Sequence, residues 1–401
     1  MNRSLSSRLR LWLVLLLLSA PGCSEQTEND LGVIMLPADA VGELPVRLEM
    51  REALEGVTVQ GQPAGKGTRS LVYVGRTKQY RLRTVLSFIL DLPTDIELVS
   101  ASLQFYVVST GGDPPITLAV HKLATDFTEE EVTWEQAAAG QPWATPGGDY
   151  DSDMLGSATY QGGELDTVSV NLNLKALQAH LDGPNRSRLP LVVRNQKNDV
   201  FVRLLAREIA PAQAVASRLS VIYREAGSTQ QYLLERRAYQ DATIASYDGQ
   251  LDADRLVVGE IPASQVFFSY DLGGLPDDAT VNQALLHLSV SGGAVVDSFL
   301  ISAFAANEAR FVGPETELTT VAGRTATESD SVFVLDITST VQLMVLQRYY
   351  GTEPKYLGLA SYRSGVTAGF MEFYPQSSPE SLLRPYLILV YSKPMQAPLP
   401  D

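Results

Sequence analysis

The 401-residue chain has one cysteine, Cys23, so it cannot form an internal disulfide. Each core must therefore hold without a covalent staple. Its three histidines, His121, His180 and His287, are far apart and sit in separate patterns. Nothing resembles H-E-x-x-H or a two-histidine, one-carboxylate spacing, which argues against a catalytic zinc centre. No G-x-S-x-G elbow, Walker loop or dinucleotide fingerprint appears in a suitable context. The one long apolar run, Leu11–Leu18, is too short to span a bilayer permanently. Positive charge is scarce as well: 31 Lys and Arg stand against 46 Asp and Glu, a formal net charge of −15. Such a field is hostile to nucleic acid, and to anionic polysaccharide as a bulk ligand. Of the few cations, 24 are arginine and 7 lysine, a skew that fits a GC-rich genome or a salt-adapted host.

What the chain does have is one β-rich pattern stated twice. Val85–Pro93 (VLSFILDLP) and Ala101–Val107 (ASLQFYV) return as Val266–Leu272 (VFFSYDL) and Ala284–Val290 (ALLHLSV). The match keeps its order along both units. Leu48 to Val59 resembles Leu234 to Ile244, and each unit closes on an alternating strand, Arg218–Tyr223 or Tyr386–Tyr391. The period far exceeds that of solenoid repeats, so the pattern predicts two globular domains.

The hydrophobic period is two. Leu103, Phe105 and Val107 alternate with Ser102, Gln104 and Tyr106, which puts one face of a strand in a core and the other in water. Turns such as Ser109–Pro115 and Ser291–Gly293 separate the runs. Many short strands with Gly/Pro turns predict antiparallel sandwiches. The expected core includes Val72, Val74, Leu86, Phe88, Leu90, Leu103, Phe105, Leu118, Val120 and Trp134, then Val257, Phe268, Leu286, Leu288, Phe333, Leu335, Leu387 and Leu389. Two stretches read as helices, Leu174–Gly183 and Ile337–Gly351.

Residues 1–22 read as a signal peptide: Arg3, Arg8 and Arg10, then the apolar run, then the small residues Ser19–Gly22. A lone cysteine directly after them resembles a bacterial lipobox, so Cys23 is the expected lipidation site. Removal of three arginines makes the mature charge −15 − 3 = −18. Ser24 at the next position is similar to an outer-membrane sorting signal. Residues 23–43 form the lipidated cysteine and an acidic tether. Domain 1 is expected at 44–225, a linker at 226–231, domain 2 at 232–393 and a tail at 394–401. The fold class is thus all-β: two tandem jelly-roll-like antiparallel β-sandwiches behind a lipoprotein signal peptide.

Val132–Glu135 (VTWE), Thr145–Asp149 (TPGGD), Phe88–Pro93, Leu181–Gly183 and the closing strand together resemble the DNRLRE family of extracellular bacterial β-sandwich domains. The resemblance covers nearly all of the first unit. The second unit lacks the tryptophan box and the Pro-Gly-Gly-Asp segment, while its Arg384–Tyr391 strand is the closer match to the family ending. The resemblance implies a jelly-roll-type sandwich on a secreted or surface protein, usually an accessory or adhesive module. Some relatives are carbohydrate-binding modules for acidic polysaccharides such as alginate.

Function is expected on the long segment from Trp143 to Tyr160, because rigid sandwiches present function on loops. Asp149, Asp151 and Asp153 stand at alternate positions in a flexible loop and read either as a Ca²⁺ site or as a solvated acidic turn. Trp143, Tyr150 and Tyr160 read either as faces for sugar rings or as packing beneath the loop. The acid run Asp126–Glu131 reads as a solvated turn. These features predict a non-enzymatic, lipid-anchored envelope protein, most simply an outer-membrane lipoprotein, that displays binding or scaffolding sandwiches. The expected partners are the membrane and either a polysaccharide or an envelope protein, with no nucleic acid. A carbohydrate-binding protein and a structural subunit of a surface assembly are the two alternatives.

Overall fold

The computed structural model describes residues 45–393 apart from residues 53, 62, 64–66, 68–69, 164–165, 196–198, 209–215, 273, 297–298, 314–321, 328 and 362–367. The expected signal peptide, Cys23 and tail lie outside the described residues. The chain is nearly all β, in two antiparallel eleven-stranded sheets that each curl into a sandwich. The two bodies share one topology. In the first, the path runs from Arg218–Glu225 through Ile96–Gly111, Val200–Leu205, Leu71–Arg76, Tyr80–Ile89 and Arg188–Arg194 to Ile116–Lys122 and Gly156–Tyr160. In the second, Tyr386–Ser392, Thr280–Val295, Gly369–Phe373, Leu256–Glu260, Ala263–Tyr270 and Tyr356–Ala360 take the corresponding places.

Period-two alternation builds each core. Ala101, Leu103, Phe105 and Val107 all point inward from one strand, against Leu86, Phe88, Leu118, Val120 and Leu191. In Thr280–Val295 a register shift between Val281 and Gln283 changes the parity, so that Ala284, Leu286 and Leu288 follow Val281 into the core. Every expected core position is buried. The two helices form at Leu174–Leu181 and Thr338–Tyr349. The first is capped by Asn173, whose side chain accepts from the Ala176 N–H, and buries Leu177 and Leu181.

The domain boundaries differ from those the repeat implies. Residues 226–231 are not a linker but a hairpin turn, in which the Ser228 N–H donates to the Glu225 carbonyl at 3.0 Å. That turn folds Tyr232–Arg237 back onto Arg218–Glu225. Gln240–Tyr247 then pairs with Tyr80–Ile89 over eight residues. Both strands open the second repeat, yet they complete the first body. Reciprocally, Val46–Met50 pairs with Tyr386–Ser392 and Leu54–Gln60 with Ala263–Tyr270, completing the second body. Short connections favour pairing between sequence neighbours, which explains the hairpin. Identical topology then leaves the opening strands of the first repeat to fill the vacant place in the second body.

The bodies also meet through an apolar cluster that includes Tyr73, Tyr80, Leu82, Val257, Ile261 and Phe370. Within it the Tyr80 hydroxyl donates to the Ile261 carbonyl at 2.6 Å, and Tyr247 meets Phe370 edge-on at 4.9 Å. Val257, expected in the second core, sits here.

Candidate binding site

A second face of the first body carries the functional groups. Strand Tyr80–Ile89 turns Leu82 inward and leaves Arg81 and Arg83 half-buried on the other side. The loop after Ile116–Lys122 folds over this face and forms a satellite core in which Trp134, Trp143, Phe127 and Val132 pack against Val85, Val192, Ala242 and Ile244. Trp134 is buried, but in this layer and not between the sheets.

Strand pairing gathers four arginines beside that layer. Arg76 is registered with Arg81. Val193 is registered with Thr84, which brings Arg194 beside Arg83. Arg76, Arg81, Arg83 and Arg194, with Gly75, Leu82 and Asn195, line a concavity of about 420 Å³. The guanidinium carbons of Arg81 and Arg83 lie 4.9 and 4.5 Å from the Trp134 ring centre. Those of Arg83 and Arg194 lie 5.3 and 5.2 Å from that of Tyr150. Cation–π contacts of this kind hold the cations in place. Arg83 also donates to the Gly147 carbonyl, and Arg194 to the Tyr150 hydroxyl.

The concavity is underneutralised. Asp248 pairs with Arg76 at 3.1 Å and Arg81 at 2.7 Å. Among the described residues no carboxylate pairs with Arg83 or Arg194, and the Arg194 Nε is buried without a partner. Burial lowers the Arg83 pKa to about 10; Tyr150 opposes that shift, while Arg194 and Arg81 add to it. The arrangement presents planar donor forks to an oxyanion, the geometry at which arginine binds carboxylate and sulfate-like groups.

The turn Thr145–Asp149 shapes this wall. Gly147 and Gly148 have φ of +93° and +100°. A Cβ on Gly147 would meet Arg83 Nη1 at 2.6 Å and the Trp134 ring at 2.7 Å, so only glycine fits. Asp149 closes the turn by accepting from the N–H groups of Ala144 at 2.9 Å and Thr145 at 2.7 Å.

Several expected site residues have other tasks. Asp149, Asp151 and Asp153 do not gather around one point. Asp149 caps the turn, Asp151 pairs with Lys122 at 3.2 Å, and Asp153 is exposed. Trp143 is buried, with its Nε1–H donating to the Thr133 carbonyl at 3.0 Å. Tyr160 lies in the main core, with its hydroxyl donating to Gly163. Both rings pack beneath the loop and present no face to a sugar. Tyr150 alone reaches the arginine concavity. The arginines themselves escaped the sequence reading. Arg81 and Arg83 at a spacing of two were the available signal, since such residues share a strand face.

A larger cleft of about 680 Å³ lies between the first helix and Ile116–Lys122, lined in part by Lys122, Asp126, Asp151, His180 and Arg188. Its carboxylates are tied to its cations, Asp126 to Arg188 at 2.8 Å and Asp151 to Lys122.

No family model matches the chain, and no curated protein matches it. Among solved structures, the N-terminal CBM22-1–CBM22-2 tandem of Xyn10C from Paenibacillus barcinonensis aligns over 89% of this chain and 99% of its own. The identity is 10% and the TM-score 0.17. A structure titled BspA_C_mut aligns over 85% of this chain and 91% of its own, at 6% identity and a TM-score of 0.17. At such TM-scores neither overlay carries an argument about this chain.

Proposed function

We propose that the chain is a non-enzymatic binding protein, exported and moored to the cell envelope through a lipidated Cys23, whose arginine concavity takes the carboxylate or sulfate of an acidic glycan. The observation that carries this reading is local charge. Among the described residues, four guanidiniums face one carboxylate, Asp248, in a chain of net charge −15. Cations held together in the free protein repel one another, and a bound oxyanion would relieve that repulsion. Trp134 is buried beneath Arg81 and Arg83, so the site recognises charge and fork geometry in place of sugar stacking. The bulk field still repels polyanions at a distance, so the reading favours a chain end or a short acidic segment over a long polyanion. The resemblance to extracellular sandwich modules and the signal-like residues 1–22 support the address.

A glycan array tests the binding. Acidic oligosaccharides should be retained, neutral ones of the same backbone should not, and Arg194→Ala should lose the acidic set. Retention of neutral and acidic glycans alike, or of none, would remove the reading. Intact mass of the mature protein tests the anchor separately, by acyl mass on Cys23.

A further inference from the structure

A second polar cluster lies on the same body, away from the arginine concavity. Glu129 comes from the loop after Ile116–Lys122, Glu208 follows strand Val200–Leu205, and Asp241 is the second residue of the exchanged strand Gln240–Tyr247. One oxygen from each lies within 4.8 Å of the others. Asp241 is fully buried. Its Oδ2 accepts from the Arg207 N–H at 2.9 Å, while its Oδ1 is buried with no partner. Glu129 Oε1 accepts from the Asp241 N–H at 2.7 Å, and its Oε2 meets Arg207 at 3.2 Å. Glu208 pairs with Arg207 at 3.0 Å through one oxygen, and its Oε2 is also buried without a partner.

Charge and ligand chemistry point the same way. Three carboxylates and one guanidinium leave two negative charges when all are ionised. An unpartnered buried carboxylate oxygen is costly. The ligand atoms are all hard oxygens, with no histidine or sulfur among them, and no donor among the described residues reaches Asp241 Oδ1 or Glu208 Oε2. Calcium takes six to eight such oxygens at irregular angles, whereas magnesium demands a near-ideal octahedron and zinc favours nitrogen and sulfur. We propose that Glu129, Glu208 and Asp241 form a calcium site that fastens the exchanged strand to the first body, with water completing the shell on the half-exposed Glu208 side.

Burial raises the pKa of all three acids, neighbouring carboxylates raise Asp241 and Glu129 further, and Arg207 works against each rise.

Thermal melts of the full chain at pH 7.5 in EDTA and in CaCl₂ test the site. A hundredfold excess of CaCl₂ over Kd should raise Tm by about 5 °C. Asp241→Asn risks failing to fold, so Glu208→Gln is the informative variant. It should melt at or above wild type in EDTA, because one repelling charge is gone, and its calcium response should weaken at least tenfold in concentration. Equal wild-type Tm in EDTA and CaCl₂ would overturn the proposal. So would a full calcium response in Glu208→Gln.

Discussion

Gly147 connects the sequence signature to the binding surface. The Thr145–Asp149 run, which carries part of the family resemblance, folds as a turn closed by the Asp149 side chain. What the sequence did not disclose is that the Gly147 backbone lies against both Trp134 and Arg83. Gly147→Ala should cost about 2–4 kcal/mol, from a left-handed backbone and a sub-3 Å contact. It should also weaken anion binding by displacing Arg83. Urea unfolding and titration of the variant check both effects; a wild-type midpoint would contradict the packing. The same scale explains which of the two readings of the loop aromatics holds. Trp143 and Tyr160 sit among glycines, and a loop aromatic has the same sequence context whether its ring faces water or lies under its own loop. Here each polar tip finds a backbone carbonyl, and the ring goes inside. The aspartates at 149, 151 and 153 were misleading for a related reason. Alternate spacing suggests convergence, but the N–H groups of Ala144 and Thr145 claim Asp149 and Lys122 claims Asp151.

Strands, helices and core faces were legible because periodicity is a local property, and the inward set from Leu103 to Val107 follows from it directly. Partner choice is not local. The repeat aligns Val46–Met50 with Tyr232–Arg237, and in the fold each serves the other repeat's body. A sequence repeat marks ancestry, whereas sheet membership follows from which edge a strand reaches first; the turn at 226–231 decides that for the second repeat. The exchange also organises both polar sites. Strand Gln240–Tyr247 carries Asp241 at one end, and Asp248 follows the other, so one exchanged segment meets both Arg207 and the arginine concavity. Deleting residues 46–60 should therefore deprotect the second body. Hydrogen–deuterium exchange should rise in Ala263–Tyr270 and Tyr386–Ser392 and stay unchanged in Tyr80–Ile89. Deprotection confined to 71–122 would restore the boundary that the repeat alone implies. The arginine site was hidden for the same reason: Arg76, Arg83 and Arg194 come together only through strand pairing.

At the scale of the molecule, net charge and site charge have opposite signs. The sequence total of −15 argues against polyanion ligands, and that argument holds for the averaged field. It fails locally because pairing concentrates four of the 24 arginines on one face with one aspartate between them. Screening lengths of about 8 Å at physiological salt let so small a positive region act on its own. The most direct test is isothermal titration of the full chain with an acidic oligosaccharide and its neutral counterpart of equal length, against wild type and Arg83→Ala/Arg194→Ala. The account predicts binding of the acidic sugar by wild type, at least tenfold loss in the double variant, and no binding of the neutral sugar. Equal affinity of wild type and double variant for the acidic sugar would contradict it.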